Sequence, residues 1–301
     1  MKILLFACRF GRRLAALCLL SGYLSTPAYA QSESESVSGQ VLDRNTRAPL
    51  PYASVGVLGR PAGTVADEQG RFSLPISREY DADSLRISLV GYRPLTITVR
   101  AFRQRACPAG PACPVLLVAA AQTALSEVVV RPKGRAVRRV LGNSSNSKFA
   151  SMLFDSNDLG NQVGQIVRIK RPAMLEQVSF HINKCSYDSL FYRVNVYRLG
   201  ADDQPDEQRN ILPEAVYVRL AKAQTADRIR VNLSRYQLWL EPGQHVAVCL
   251  ELVRDLGPGK LELTATMLGG PMCVKEGGVT EPWEKVGAFG MGIDATVTEI
   301  R

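Results

Sequence analysis

The sequence predicts an all-β protein built from two sandwiches. Short runs alternate apolar and polar residues, as where Leu85, Ile87 and Leu89 enclose Arg86 and Ser88. Such period-two alternation is typical of half-buried strands. Glycine, proline, asparagine and aspartate separate these runs at short intervals, which favours an antiparallel arrangement over helices. A chain of 301 residues exceeds the usual size of one domain, so we expect two.

The first thirty residues have the features of a secretory signal peptide. Four cations stand near the front, an apolar stretch runs over 14–20, and Ala28-Tyr29-Ala30 precedes Gln31. The apolar stretch is shorter than the ~20 residues of a membrane-spanning helix. We expect cleavage after Ala30, which lowers the formal net charge from +9 to +5. Residues 31–36, QSESES, are predicted to be a flexible lead. The protein is therefore predicted to be exported, and its modest positive charge indicates no nucleic-acid partner.

Five of the seven cysteines remain once residues 1–30 are removed. Export favours disulfides. Cys107 and Cys113 close a short loop through two prolines and a glycine, and we predict that they pair. The pairing of Cys185, Cys249 and Cys273 stays open, with one cysteine left over. A zinc site is the competing interpretation, but the sequence has no C-x-x-C and only two histidines, so we predict no metal.

The stretch GTVADEQGRF, residues 63–72, fits either an acidic metal loop or a tight turn. An EF-hand loop needs oxygen ligands at alternate positions and a distant glutamate, whereas Asp67-Glu68-Gln69-Gly70 is followed at once by a strand-like segment. Gly70 supplies a positive φ angle and Asp67 can bond its own backbone. We therefore predict a hairpin turn here.

Several motifs of residues 37–130 occur together in a fixed order. They are Gly39-x-Val41-x-Asp43, Pro49-Leu50-Pro51-Tyr52-Ala53-Ser54-Val55, Gly63-Thr64, Asp67-x-x-Gly70-x-Phe72 and Val90-Gly91-Tyr92. This segment resembles the carboxypeptidase regulatory-like domain, a small transthyretin-like β-sandwich abundant in exported proteins of Bacteroidetes-type bacteria. The resemblance implies that fold and a noncatalytic accessory role, despite the enzyme in the family's name.

The segment that follows has two features of interest. Residues 125–130, LSEVVV, resemble the stretch after this domain in outer-membrane receptors, but the remaining chain is too short for the plug and barrel of such receptors. Residues 131–148 are predicted to be a basic linker with five cations before Gly142. The linker is either a solvated connector or a site of peripheral contact with anionic lipid.

Residues 149–301 are predicted to form a second, jelly-roll-like sandwich. In LFYRVNVYRL, alternation puts Tyr192, Val194 and Val196 on one face of a strand. The same alternation puts an aromatic and polar row on the other face. Its members are Phe191, Arg193, Asn195 and Tyr197.

This row is the candidate binding surface, with Trp283 as a candidate exposed anchor. Aromatic side chains give contact area and polar neighbours give orientation, a combination that suits a glycan or a protein partner. The alternative is that the row is covered by another sheet or by the first domain.

The sequence offers no catalytic constellation that we can assign. Neither His181 nor His245 begins the H-x-x-E motif of a zinc peptidase, and no G-x-S-x-G string occurs. A carboxylate pair for glycoside hydrolysis stays open, with Asp155, Asp158 and Asp188 available. We predict no cofactor and a noncatalytic protein of the periplasm or outer membrane, serving as a binding or structural accessory. The alternatives are a hydrolase and an accessory subunit of an outer-membrane transporter.

Overall fold

The computed structural model describes residues 35–105, 113–120, 134–155, 159–222, 227–276, 279–287 and 289–301. The predicted signal peptide, most of the lead at 31–36, Cys107, Asp158 and the receptor-like segment at 125–130 lie outside these residues. Residues 34–301 form one compact unit. Within the described part, no helix is long and apolar enough to cross a membrane.

The first sandwich consists of eight described strands and one short helix. They are β1 (Glu35–Asp43), β2 (Ser54–Val57), β3 (Gly63–Val65), β4 (Arg71–Ile76), β5 (Ser84–Ser88), β6 (Tyr92–Arg93), β7 (Leu95–Thr98), α1 (Val99–Arg103) and β8 (Cys113–Ala119). One sheet has the order β4-β1-β8-β6 and the other β3-β2-β5-β7. The pair β1–β8 is parallel and the other described pairs are antiparallel. Leu85 and Ile87 are fully buried between the sheets, as their alternation predicts.

The turn at Asp67–Gly70 joins the two sheets of the first sandwich. Gly70 has φ +70°, and Asp67 Oδ1 accepts hydrogen bonds from the backbone N–H groups of Gln69 and Arg71. The predicted tight turn is therefore present. It is not a hairpin, however, because β3 pairs with β2 while β4 pairs with β1. A side chain at position 70 would collide with the Val41 carbonyl, which explains why the turn needs glycine.

The second sandwich contains the remaining described strands. They are β9 (Ala136–Gly142), β10 (Ala150–Asp155), β11 (Gln162–Val167), β12 (Ala173–Cys185), β13 (Ser189–Leu199), β14 (Pro205–Asn210), β15 (Val216–Ala221), β16 (Arg228–Asn232), β17 (Leu238–Leu240), β18 (Val246–Leu252), β19 (Lys260–Met267), β20 (Met272–Lys275), β21 (Glu284–Val286), β22 (Phe289–Met291) and β23 (Ile293–Ile300). Short 3₁₀ turns occur at Arg78–Tyr80 in the first sandwich and Ser234–Tyr236 in the second.

Two sheets enclose the core of the second sandwich. One follows the path β10-β19-β12-β23-β9, with β16 and β17 paired to β12 and β22 paired to β19. The other follows β14-β13-β18-β11-β20-β21, with β15 paired to β13. Tyr192, Val194 and Val196 of β13 are fully buried in the core between the sheets, as predicted. The opposite face of β13 therefore points away from that core. We call it the outer face of the β13 sheet.

Part of the predicted linker is a strand instead. Residues 136–142 form β9, which pairs along its length with β23 at the edge of its sheet. The sequence AVRRVLG lacks the strict apolar–polar alternation of a half-buried strand, because an edge strand needs only one partner and can stay largely exposed. Arg138 and Arg139 on this edge discourage further strand pairing.

The described cysteines of the second sandwich are free thiols. They are Cys185, Cys249 and Cys273. Cys249 and Cys273 lie in register with Gly164 from the strands on either side of β11. The Cα atoms of Cys249 and Cys273 are therefore two strand spacings apart, which amounts to ~9.5 Å. A disulfide needs Cα atoms within ~7 Å. These two thiols are close neighbours but cannot pair in this fold. The Cys107–Cys113 bridge stays a prediction, because Cys107 lies outside the described residues.

Candidate binding site

A row of polar side chains crosses the outer face of the β13 sheet. Arg193 on β13 lies opposite Glu251 on β18, Glu251 lies opposite Gln162 on β11, and Gln162 lies opposite Lys275 on β20. Directly opposed residues of antiparallel strands share a face, so register alone aligns these four side chains. We call Arg193, Glu251, Gln162 and Lys275 the polar row. Each is at most 4% exposed.

Arg193 and Glu251 form a buried, two-pronged ion pair. Arg193 Nε donates to Glu251 Oε2 at 2.9 Å, and Nη2 donates to Oε1 at 2.6 Å. Burial by itself would lower the pKa of Arg193, but the adjacent Glu251 carboxylate more than offsets this and raises the pKa. The guanidinium therefore stays charged. Buried charges are tolerated when they are paired and hydrogen-bonded in this way.

Asn195 and Tyr197 extend the network along β13. Asn195 Nδ2 donates to Glu251 Oε2 at 2.6 Å and to Gln162 Oε1 at 3.1 Å. Tyr197 OH donates to the same Gln162 oxygen at 3.1 Å. Burial raises the pKa of Tyr197, which keeps this phenol protonated as a donor. Both donors use the Gln162 oxygen, and among the described residues the Gln162 amide nitrogen has no hydrogen-bond partner.

Arg193 also joins the second sandwich to the first. Its Nη1 donates to the Tyr52 carbonyl at 2.8 Å, and its Nη2 donates to Ser54 Oγ at 2.8 Å. Tyr52 has φ +59°, a left-handed conformation that residues other than glycine adopt rarely. The Tyr52 ring lies 4.8 Å from Phe191 and 5.3 Å from Tyr217, centroid to centroid. The PLPYASV motif thus contributes both an aromatic contact and a carbonyl acceptor to this junction.

The far end of the polar row is closed by a second ion pair. Lys275 Nζ donates to Glu207 and to the Val279 carbonyl, and Trp283 Nε1 donates to Glu207 Oε1 at 3.2 Å. Trp283 packs edge-on against Tyr197 with centroids 6.0 Å apart and is only 9% exposed. The expectation that Trp283 is an exposed anchor is therefore wrong. It covers the end of the β13 sheet, as loop tryptophans of sandwiches can.

A cavity of about 900 Å³ lies over the polar row at the junction of the two sandwiches. We call it the junction cavity. Arg193, Asn195, Gln162 and Glu251 form part of its lining, and the family-like Val90-Gly91-Tyr92 segment contributes from the first sandwich. A second cavity of about 540 Å³ shares four lining residues with it, so the two cavities adjoin. The shared residues are Arg86, Glu207, Gln208 and Val279. This volume is in the range of small-ligand sites.

The structure brings together three of the five sequence-predicted binding residues at this cavity. Arg193, Asn195 and Tyr197 line it. Phe191 instead packs into the aromatic junction at Tyr52, and Trp283 lines only the second cavity. The row is largely covered by the first sandwich, which is the alternative that the sequence left open. Whether these residues bind a ligand remains a prediction.

Sequence reasoning missed Gln162, Glu251 and Lys275. A carboxylate inside the apolar run HVAVCLELV was a usable signal, because an acid at a buried strand position needs a cationic partner. The same signal is present in β20, where Lys275 ends MCVK. The pairing register that unites them with Arg193 could not be read from the sequence.

Of the acidic residues considered for catalysis, Asp188 does not line the junction cavity. Asp188 has a fully exposed side chain paired with Lys222, and nothing is described of the side chains of Asp155 and Asp158. Glu251 is held by Arg193 and Asn195, so it serves as a fixed counter-ion. Among the described residues, no group of three histidine, cysteine or acidic side chains is placed to hold a metal.

Another buried polar cluster lies on the outer side of the β12 sheet. His181 Nε2 is 2.7 Å from Asp294 Oδ2, and its Nδ1 contacts Asn146. Arg228 Nη2 donates to both Asp294 oxygens at 2.8 and 2.6 Å. His181 and Asp294 are at most 1% exposed and neither lines a cavity described above. Arg228 and Asp294 form an ion pair, while the buried Arg228 Nε has no hydrogen-bond partner among the described residues.

The comparisons with known proteins concern mainly the first sandwich. No curated protein gives a significant match. Among solved structures, one of infectious bursal disease virus, Gt strain, aligns at a TM-score of 0.22 and 9% identity, over 82% of this chain and 62% of that chain. The chain thus spans less than two thirds of that viral chain, and a likeness this weak carries no argument. Residues 37–130 match the family model of the CarboxypepD_reg-like domain, a generally noncatalytic β-sandwich module with regulatory or binding roles.

Proposed function

We propose that this chain is a noncatalytic binding protein of the bacterial envelope that holds its ligand in the junction cavity. The cavity carries the proposal, because it joins a volume of about 900 Å³ to a floor of ordered polar side chains. A built pocket with a few fixed polar groups is the usual form of a small-ligand site. The ligand is a short segment of an envelope glycan or protein.

The polar floor supports recognition better than catalysis. Glu251 is neutralised by Arg193 and bonded to Asn195, so it is not poised to move a proton. The matched domain family is generally noncatalytic. In contrast, Gln162 lines the cavity, and its amide nitrogen has no hydrogen-bond partner among the described residues. A ligand that brings an acceptor can take up a donor of this kind.

Export and envelope location are part of the proposal. They rest on the signal-peptide features of residues 1–30. The exposed cations of β9 add a means of contact with anionic lipid headgroups, which attract basic segments. A transporter accessory role is retained only as a second outcome, to be recognised by co-purification with a barrel protein.

The test is to obstruct the cavity without disturbing its floor. Gln208 is exposed and lines both cavities, so Gln208→Trp places an indole in the entrance. Gln69→Trp is the matched control, because Gln69 is exposed in the turn of the first sandwich and lines neither cavity. The chain from Gln31 onward is assayed for binding to a glycan array and to detergent-solubilised envelope.

We expect saturable binding by the wild type and by Gln69→Trp, and at least a tenfold loss in Gln208→Trp, in line with displacement of a pocket ligand. Equal binding by all three proteins would remove the junction cavity from the account. Absence of binding by correctly folded wild type would favour a structural spacer. Turnover of peptide or glycan substrates would overturn the noncatalytic assignment.

A further inference from the structure

We infer that the junction cavity selects a basic peptide segment, one that carries lysine or arginine side chains. This inference rests on the proposed function, since it names the ligand class of the same cavity. Two independent features support it. The first is the charge of the lining, and the second is the unused amide donor of Gln162.

The two adjoining cavities have an acidic lining in a chain that is basic overall. The chain carries 37 lysines and arginines against 28 acids. The cavity lining reverses this balance with six carboxylates and three cations, a formal charge of −3. The carboxylates belong to Asp202, Asp206, Glu207, Glu214, Glu251 and Glu281. The cations belong to Arg86, Arg193 and Lys275.

Ion pairs neutralise half of these carboxylates but leave the second cavity acidic. Glu251 pairs with Arg193, Glu207 with Lys275, and Glu214 with the exposed Arg235 outside the lining. Within the described part of the chain, the remaining three carboxylates have no ion-pair partner. They are Asp202, Asp206 and Glu281, which line the second cavity together with Arg86 and the already paired Lys275. A ligand with positive groups would be attracted to such a lining.

The Gln162 amide on the polar floor of the cavity needs a hydrogen-bond acceptor, which a simple polyamine does not have. Gln162 is 4% exposed and lines the cavity, and its amide nitrogen has no hydrogen-bond partner among the described residues. A peptide carbonyl is a suitable acceptor, whereas a protonated polyamine has donors only. Tyr92 and Tyr197 also contribute to the lining, and aromatic rings attract a nearby cation. A basic peptide satisfies the acidic lining and the polar floor together.

A neutral glycan fits the charge pattern less well. Sugar hydroxyls can bond carboxylates, but they gain nothing from net negative charge. Binding of a glycan should then be insensitive to salt, whereas attraction between exposed charges weakens with ionic strength. Salt dependence therefore separates the two ligand classes.

The experiment is isothermal titration of the chain from Gln31 onward with three probes: a tetralysine peptide, its fully Nε-acetylated form and spermidine. We expect the peptide to bind at low salt, and the acetylated peptide and spermidine each to bind at least tenfold more weakly. The double substitution Asp206→Asn with Glu281→Gln should weaken peptide binding about tenfold, since each removes one attraction of modest strength. Its matched control is Asp188→Asn with Glu284→Gln, two acids that line neither cavity.

The outcomes distinguish the basic-peptide inference from the proposed binding function on which it rests. Equal binding of the acetylated and unmodified peptides, or no effect of the double substitution, would overturn the preference for a basic ligand. Equal binding of spermidine would overturn the peptide assignment. If a neutral oligosaccharide binds and Gln208→Trp abolishes it, the binding function stands while the basic-peptide inference falls. If tetralysine binds wild type and Gln208→Trp equally, the site lies elsewhere and both fall.

Discussion

Arg193 is the residue whose loss should most affect stability. Arg193→Met removes both bonds to Glu251 and the two bonds to Tyr52 and Ser54 of the first sandwich. Glu251, only 2% exposed, would lose the cation that compensates its buried carboxylate. Breaking a buried pair in this way costs ~3–5 kcal/mol of unfolding free energy. The same change at the exposed Arg235, paired with Glu214, should cost less than ~1 kcal/mol.

Urea unfolding followed by tryptophan fluorescence measures these losses. Trp283 reports on the region directly, because it packs on Tyr197 at the end of the polar row. A second substitution, Glu251→Gln, removes the stranded charge while keeping an acceptor for Asn195. The double variant Arg193→Met with Glu251→Gln should recover at least half of the stability lost in Arg193→Met. The reasoning is refuted if Arg193→Met costs no more than Arg235→Met, or if the second substitution adds a further loss.

Two further predictions concern the interior of each sandwich. Gly164→Ala should lower the free energy of unfolding by about 1–3 kcal/mol through overpacking, because the new Cβ would lie 2.4 Å from Cys249 Sγ and 3.0 Å from Cys273 Sγ. In thermal unfolding, adding Cys249→Ala should restore part of the lost stability. No such rescue would contradict the steric explanation. The carboxyl of Asp43 accepts hydrogen bonds from the backbone N–H groups of Thr46 and Asn45. These bonds lower its pKa below the ordinary 3.8, and the Thr46 bond has the larger effect. A lowered native pKa stabilises the fold above the unfolded pKa, and this stability is lost as pH falls through the native value. Asp43→Asn should therefore be less stable than wild type at pH 7, with the difference shrinking below pH 3.8; a difference that is constant with pH would refute this.

The alternation along β13 carried much of the fold information that the sequence contains. It separated Tyr192, Val194 and Val196, which pack between the two sheets, from Arg193, Asn195 and Tyr197, which lie on the outer face. What it could not supply is the partner of each polar residue. Arg193 and Glu251 are 58 residues apart, and only the register of β13 with β18 unites them. Pairing between distant strands leaves no mark in a single sequence beyond the presence of a charge in an apolar run.

The errors at β9 and Trp283 have physical causes as well. Strand β9 lies at a sheet edge, so its basic residues remain in solvent and its sequence resembles a linker. Trp283 stands in a glycine-, proline- and glutamate-rich segment that suggests exposure. Its indole is nevertheless buried against Tyr197 with its N–H satisfied by Glu207. Local composition predicts solvent contact poorly where a loop closes the end of a sandwich.

The central claim, that the junction cavity is the binding site, is tested most directly by hydrogen exchange. The chain from Gln31 onward would be exchanged with and without saturating solubilised envelope, and amide protection mapped along the sequence. The account predicts added protection in residues 86–94 and 205–214, which carry the cavity walls on the two sandwiches. Protection confined to other segments, such as the exposed turn at Met267 and Leu268, would contradict it.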